Sequence, residues 1–387
     1  MPDGSASLTL SVVDSLSAVT AAEWDACAGD ENPTVGHAFL SAMEDSGCTT
    51  AESGWQPQHL TLRAADGRLV GAVPLYLKSH SYGEYVFDWG WAEAFERAGG
   101  RYYPKLQCSV PFTPVGGPRL LAHPEADAAA VKETLASGLA AVLQHHKASS
   151  VHVTFPGRDE WDLLGEAGFL QRIGRQYHWH NEGYGSFDDF LGALASRKRK
   201  ALRKERAAVA AEGVTFQAVT GSDLHERHWD AFYRFYIDTV DRKWGGAYLN
   251  REFFSLLGER MPERVVLILA EQAGRPVAGA LNLLGRDRLY GRNWGCAAEI
   301  RFLHFETCYY QAIDFAIARG LSVVEAGAQG EHKIQRGYLP VETYSTHLIA
   351  DPGFRRAVAD FLERETRAVR LQIAALAEES PFRQEEG

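Results

Sequence analysis

The feature that most restricts how this chain can fold is that it states one pattern twice. Residues 58–77 read as a strand (QHLTLRA), a turn (ADG) and a second strand (RLVGAVPLYL); residues 264–284 repeat it as RVVLILAEQ, AG and RPVAGALNLL. The second strands align as Gly67-Arg68-x-Val70 against Gly274-Arg275-x-Val277, and each turn places a glycine where a tight connection needs positive φ. Downstream, a helical stretch at 131–147 feeds ASSVHVTF and then Gly168-Phe169-Leu170, while 304–319 feeds LSVVEAGA and then Gly337-Tyr338-Leu339. In the latter helix Phe305, Cys308, Tyr309, Ala312, Ile313 and Ala316 form one apolar stripe, ended by Gly320.

Meander, helix, strand and final strand make an α+β unit of domain size. A tandem duplication predicts two of them, a first domain at 1–180 and a second at 181–387. The second is expected to open with a basic helix, with Ser186 as its cap and Asp189 three residues on. From Arg197 to Arg206 that helix carries seven basic residues and one acid. A long amphipathic helix over DPGFRRAVADFLERETRAVRLQIAALAEES is expected to close the domain, with SPFRQEEG as a frayed tail.

The five cysteines are odd in number and none has CxxC spacing, which speaks against a disulfide framework or a zinc knuckle and suits a reducing cytoplasm. The N-terminus has no basic region followed by an apolar core, and nowhere do eighteen apolar residues run uninterrupted, so neither a signal peptide nor a spanning helix is expected. A net charge of −10 disfavours general nucleic-acid coating and leaves local phosphate binding open. No metal site is expected: His225 and His228 have helical i,i+3 spacing without a third ligand, and His145 and His146 diverge on a helix.

Chemistry concentrates in LSVVEAGAQGEHKIQRGY, residues 321–338. Glu325 sits inside an apolar strand, where desolvation would raise its pKa towards that of a useful base; otherwise it is a salt-bridged carboxylate, with Arg301 or Arg319 as partner. Glu331 and His332 on the adjoining loop are the competing bases. Lys333 and Arg336 can hold a carboxylate or phosphate, one as a point charge and one as a fork. Arg292-Asn-Trp-Gly295-Cys-Ala297 fits Q/R-x-x-G-x-G/A, a pattern whose backbone N–H groups cradle a pyrophosphate when it joins a strand to a helix. The loops around Tyr103 and Lys105, and around Trp244, pair rings with polar groups and are expected to wall an acceptor cleft. The basic helix is either a solvated surface or a seat for an anion such as a tRNA backbone.

The strings GWQPQHL, GAVPLYLKSHSYGEYVFDW, YYPKLQ, PFTPVGGPRLL and EAGAQGEHKIQRGY, with the SRKRKALRKER helix between them, resemble the FemAB-like N-acyltransferases of the GNAT superfamily over residues 24–365. That resemblance implies two tandem GNAT-like domains and transfer of an acyl or aminoacyl group to an amine acceptor, small molecule or peptide. The donor would be acyl-CoA or aminoacyl-tRNA. Better-known Fem ligases take the aminoacyl group from tRNA to a peptidoglycan-precursor peptide, and Lys333 matches a lysine before their terminal Gly-aromatic pair. This chain lacks the long helical arm some of them carry. A non-catalytic module that binds a peptide or cell-wall precursor is the alternative class. Acceptor identity and oligomeric state are not legible in the residues.

Overall fold

The computed structural model describes residues 8–243, 246–327 and 330–383. The chain forms two compact units, residues 1–174 with 342–370, and residues 175–341 with 371–387.

In the first unit, β1 (Thr9–Val13), β2 (Trp55–Pro57), β3 (His59–Arg63), β4 (Leu69–Val73), β5 (Leu75–Lys78), β6 (Lys105–Cys108), β7 (Leu121–Ala122) and β8 (Ser150–Thr154) serve two sheets. One has the order β1-β3-β4-β7. The hairpin expected at 58–77 is present, with Gly67 at φ 87°, but its second strand is split at Pro74, which has no N–H to give a ladder. β4 therefore stays with β3, while β5 pairs with β2 and β6, and β6 runs parallel to β8. Helix Ala128–His146 packs Leu135, Leu139 and Val142 onto Leu60, Leu62 and Val73. Burial of each such side chain contributes about 1.5–3 kcal/mol.

In the second unit, β9 (Leu170–His180) contributes its C-terminal half, followed by β10 (Val214–Val219), β11 (Val265–Gln272), β12 (Arg275–Leu284), β13 (Arg288–Cys296) and β14 (Val323–Glu325) in the order β10-β11-β12-β13-β14-β9. The β11–β12 hairpin matches its expected span, turning through Ala273 and Gly274 at φ 51° and 71°. The helical stripe at 304–319 is present but interrupted by a π-helical segment, Glu306–Tyr310, between helical turns. Its rings pack with Trp179, Leu289 and Val324 in the core.

The basic region is two helices, Phe187–Ala193 and Ser196–Ala211; Ser186 caps the first by accepting from the Asp189 N–H. The tail does not fray through its described length. Phe382 bridges to Leu194 and packs on Phe190, because the Arg383 and Ala195 amides find backbone carbonyls there.

The last strand, β15 (Leu339–Ile349), pairs from Ser345 to Ile349 with β8 of the first unit, to which residues 342–370 belong. The first part of the closing helix, Pro352–Glu378, thus counts with the first unit rather than the second. A strand's alternation tells which face is buried and nothing about which partner it pairs with.

Candidate functional site

β14 is short and buried on both sides, with β13 parallel on one edge and β9 antiparallel on the other. Its register sets Glu325 opposite Tyr290 and His178. The Glu325 side chain is 4% exposed. One carboxylate oxygen accepts from Arg288 at 3.3 Å, and the other lies 3.9 Å from His178 Nε2. Among the described residues Arg288 forms an ion pair with it, rather than the expected Arg301 or Arg319. Both residues come from neighbouring strands, so only register could reveal them. Burial pushes the His178 imidazole down to about 3, with His180, Arg288 and Lys333 adding to the effect, so it is neutral at physiological pH.

After Glu325 the chain turns and re-forms as a 3-10 helix, Glu331–Arg336, ended by Gly337 at φ 87°. Lys333 points inward from it and is 2% exposed. Its ammonium donates to the carbonyls of Ala326 (2.7 Å) and Gly327 (2.9 Å) and faces the Tyr177 ring at 6.0 Å. An ammonium has three donors, and among the described residues two of them are used. Burial lowers its pKa to about 8. Among the described residues no carboxylate forms an ion pair with it, which is unusual for a buried lysine.

The neighbouring candidates are placed differently. Glu331 is exposed and meets Arg175 at 3.3 Å. His332 bonds the Tyr309 hydroxyl at 3.0 Å, and burial, then Lys333 and Arg336, lowers its pKa. Arg336 is buried: it donates to both oxygens of Glu205 (2.8 and 3.0 Å) and to the His332 carbonyl, and lies over the Phe305 ring at 3.4 Å. It clamps the 3-10 helix to the basic helix.

The residues of the expected pyrophosphate loop lie in and just after a strand. Arg292 and Gly295 lie within β13, whose register slips by one residue against β12 between Gly291 and Trp294, and Ala297 only begins the turn after it. Gly295 is needed for packing: a Cβ there would meet the Phe235 carbonyl at 2.2 Å, so the strand rides directly on helix Glu226–Lys243.

In the first unit Lys105 lies at the floor of a sealed polar cluster. It is 0% exposed, and its ammonium donates to Ser81 (2.8 Å), Glu84 (2.7 Å) and Asp88, which uses all three protons. Burial opposes ionisation of Asp88, yet Lys105 holds it below the ordinary carboxylate range; burial pushes Glu84 up to about 7 and the nearby Lys78 down to about 6. Tyr102 donates to Asp88 at 2.6 Å, and His152 faces His347 across the β8–β15 ladder with Nδ1 atoms 2.7 Å apart. Tyr103 is half-buried, its hydroxyl 2.8 Å from Ser81. Sequence reading singled out Tyr103 and Lys105 but not Glu84, Asp88, His152 or His347, which stand among ordinary strand and loop residues. Trp244 lies outside the described residues.

On the basic helix, Arg203 meets Asp188 (2.9 Å) and Arg206 meets Glu306 and Asp314 (2.9 and 2.7 Å), while Arg197, Lys200 and Lys204 are exposed. A depression of about 480 Å³ near His225, Trp229 and Ser255 includes none of these groups. Among the described residues no cluster of His, Cys, Asp and Glu could hold a metal, and no helix is long and apolar enough to cross a membrane.

Two compact α+β units carry the chain, and the second holds a carboxylate at the end of a short buried strand and a buried lysine on the 3-10 helix that follows it. The chain belongs to the FemAB-like family, described as peptidoglycan biosynthesis/recognition, whose profile matches residues 15–384. Similar solved structures are FemX, 11% identical with a TM-score of 0.56 over 88% of this chain and 98% of that one, and L-PGS from Bacillus licheniformis, 10% identical with a TM-score of 0.51 over 92% and 98%. The C-terminal domain of a putative lysylphosphatidylglycerol synthetase from Agrobacterium fabrum is 8% identical, with a TM-score of 0.55 over 88% and 96%. At such identities the likeness is one of fold. No curated protein matches the sequence.

Proposed function

We propose that the protein transfers an activated acyl or aminoacyl group to an amine, with an amine-bearing peptide of a peptidoglycan precursor as acceptor and aminoacyl-tRNA as donor. The observation that carries this reading is Lys333, a buried ammonium held by the two carbonyls that directly follow Glu325, with a third N–H unused among the described residues. Amine acylation needs a base for the ammonium proton and a positive group where the carbonyl oxygen becomes negative. Glu325 is the base in this scheme, since Glu331 is solvated and His178 is too weakly basic. Lys333 stabilises the oxyanion or anchors a donor phosphate. Membership of a family described by peptidoglycan biosynthesis/recognition supports the acceptor class. For the donor, the exposed Arg197, Lys200 and Lys204 suit a phosphate backbone and favour tRNA over CoA in this reading.

The test is a transfer assay with the full chain, a radiolabelled aminoacyl-tRNA pool or acyl-CoA thioesters, and precursor peptides bearing a free amine. Label on the peptide, lost in Glu325→Gln and Lys333→Met, supports the reading. Turnover with CoA thioesters alone would reassign the donor. Peptide binding without turnover by either donor would replace the enzyme with a recognition module.

A further inference from the structure

The depression near Trp229 shares no lining residue with the Glu325 and Lys333 site. It holds about 480 Å³ and opens between the start of helix Glu226–Lys243 and the end of helix Arg251–Arg260. Small ligands occupy sites of about 300–1,000 Å³. Trp229 forms its floor and is 1% exposed. The indole ring packs inward on Phe254 and Phe232, with centroids 5.6 and 6.4 Å away. Its Nε1 edge turns to the depression: a Cβ on the lining residue Gly258 would sit 2.5 Å from that nitrogen, so glycine keeps the edge open. A buried Trp ordinarily finds an acceptor, and Trp24, Trp55 and Trp161 each donate to a backbone carbonyl. The Trp179 N–H lacks one but is sealed in the core. Among the described residues no acceptor takes the Trp229 N–H, and this one faces a cavity.

Charge decides what a ligand must carry besides that acceptor. Glu226 accepts from Ser255 at 2.7 Å and pairs with Arg251 at 2.7 Å. The Ser255 bond, aided by Arg251, holds its carboxyl below the ordinary range, so it is ionised. Arg251 also meets Asp230 at 2.8 Å, and one guanidinium thus serves two carboxylates. Glu259 is exposed on the rim and forms no ion pair among the described residues. The two segments that build the depression, 221–230 and 251–264, carry six acids (Asp223, Glu226, Asp230, Glu252, Glu259 and Glu263) against four bases (Arg227, Arg251, Arg260 and Arg264). Six against four leaves −2 with the histidines counted as neutral. Gly258 and Glu259 stand in the last turn of helix Arg251–Arg260, whose negative end favours a cation, while Glu226 answers the positive end of the other helix. A phosphate or carboxylate is repelled here and an ammonium is attracted. Leu224 adds apolar surface on which methylenes can lie.

We propose that this depression binds a peptide through one lysine-like residue: a main-chain carbonyl accepts the Trp229 indole N–H, and the side-chain ammonium pairs with Glu259 and Glu226. The indole edge reads the amide and the rim reads the positive charge. The site stands apart from the transfer reading, because a chain that transfers nothing would still carry it.

The indole N–H of Trp229 reports on the site directly. Its signal in the proton–nitrogen NMR spectrum of the full chain is assigned by its loss in Trp229→Phe. It is then followed during titration with Nα-acetyllysine N-methylamide and, in parallel, with the norleucine and glutamate counterparts. A saturable shift with the lysine compound is expected, with binding of the norleucine compound about tenfold weaker and no shift with the glutamate compound. Glu259→Gln, a change at an exposed position, should weaken the lysine compound about two- to fivefold and leave the norleucine compound as it was. An unmoved Trp229 signal, equal affinity for the lysine and norleucine compounds, or a response to the glutamate compound overturns the proposal. So does an affinity for lysine that Glu259→Gln leaves unchanged. No donor enters these titrations, so their outcome is independent of whether transfer occurs.

Discussion

Lys105 in the first unit and Lys333 in the second are 0% and 2% exposed, yet one is held by carboxylates and the other by carbonyls. Lys105 spends every proton on Ser81, Glu84 and Asp88, and its charge is cancelled where it stands. Its pKa is raised: burial opposes the charge, but Glu84 and Asp88 outweigh it. Among the described residues Lys333 is held by carbonyls and no carboxylate pairs with it, so burial lowers its pKa against a smaller opposing effect of Cys308. A buried cation neutralised by acids behaves as part of the frame. One left with a net charge and a spare N–H is placed to meet an anion, and pairs of groups whose surroundings push their pKa values apart mark such sites.

The largest expected effect breaks the framework side. Lys105→Ala leaves Glu84 and Asp88 buried without their cation and should cost about 3–5 kcal/mol in urea unfolding. A loss below 1 kcal/mol would mean that the cluster is hydrated and free to serve a ligand. Lys333→Met should act in the opposite sense: transfer falls about 100-fold while the fold survives.

Titration sharpens the contrast. The Lys333 value in the folded chain, about 8, lies below the ordinary 10.5. Between those pH values the unfolded chain holds more protons, so the stability of wild type relative to Lys333→Met should rise with pH across that window, by up to about 3 kcal/mol. Activity should fall over the same interval as the ammonium loses its charge. A difference independent of pH from 8 to 10 would show that Lys333 titrates as an exposed lysine.

Gly295→Ala should cost about 1–3 kcal/mol or more, because its Cβ would overlap the Phe235 carbonyl. A selective loss of CoA affinity in a stable protein would instead restore the pyrophosphate loop. In the first unit, burial lowers His152 to about 3 and His347 well below its ordinary value, so the folded chain refuses protons that the unfolded chain takes up below pH 6.5. Stability should drop on acidification from pH 6.5, and His347→Gln should blunt that drop by about 1 kcal/mol per pH unit. The smallest effect belongs to the basic helix. Lys200→Glu should change stability by less than about 0.5 kcal/mol while lowering the salt dependence of tRNA retention by about one unit of slope or more.

Much of the scaffold was legible from local chemistry. The β11–β12 hairpin, its glycine turn, the helix ending at Gly320 and the cap at Ser186 each follow from residues a few positions apart. Glu325 and Lys333 were legible too, as a carboxylate in an apolar strand and a lysine in a dense charged turn. Missed were the residues that give those two their character. Arg288 and His178 reach Glu325 through strand register, and Glu205 occupies Arg336 from a helix more than a hundred residues earlier. The glycine pattern at Arg292–Ala297 lies at a strand end, because a short glycine motif reads alike in a loop and in a strand that packs on a helix.

By itself, then, the sequence determined the second-unit hairpin, the helix ending at Gly320, the cap at Ser186 and which stretch carries the titratable groups, because those properties depend on periodicity and turn chemistry within a few residues. Only the tertiary structure decided that β15 joins β8, that Lys105 is sealed among acids and that Lys333 keeps its charge. Pairing partners and local electrostatics are set by residues far apart in the chain, and no local pattern encodes what will lie across a sheet.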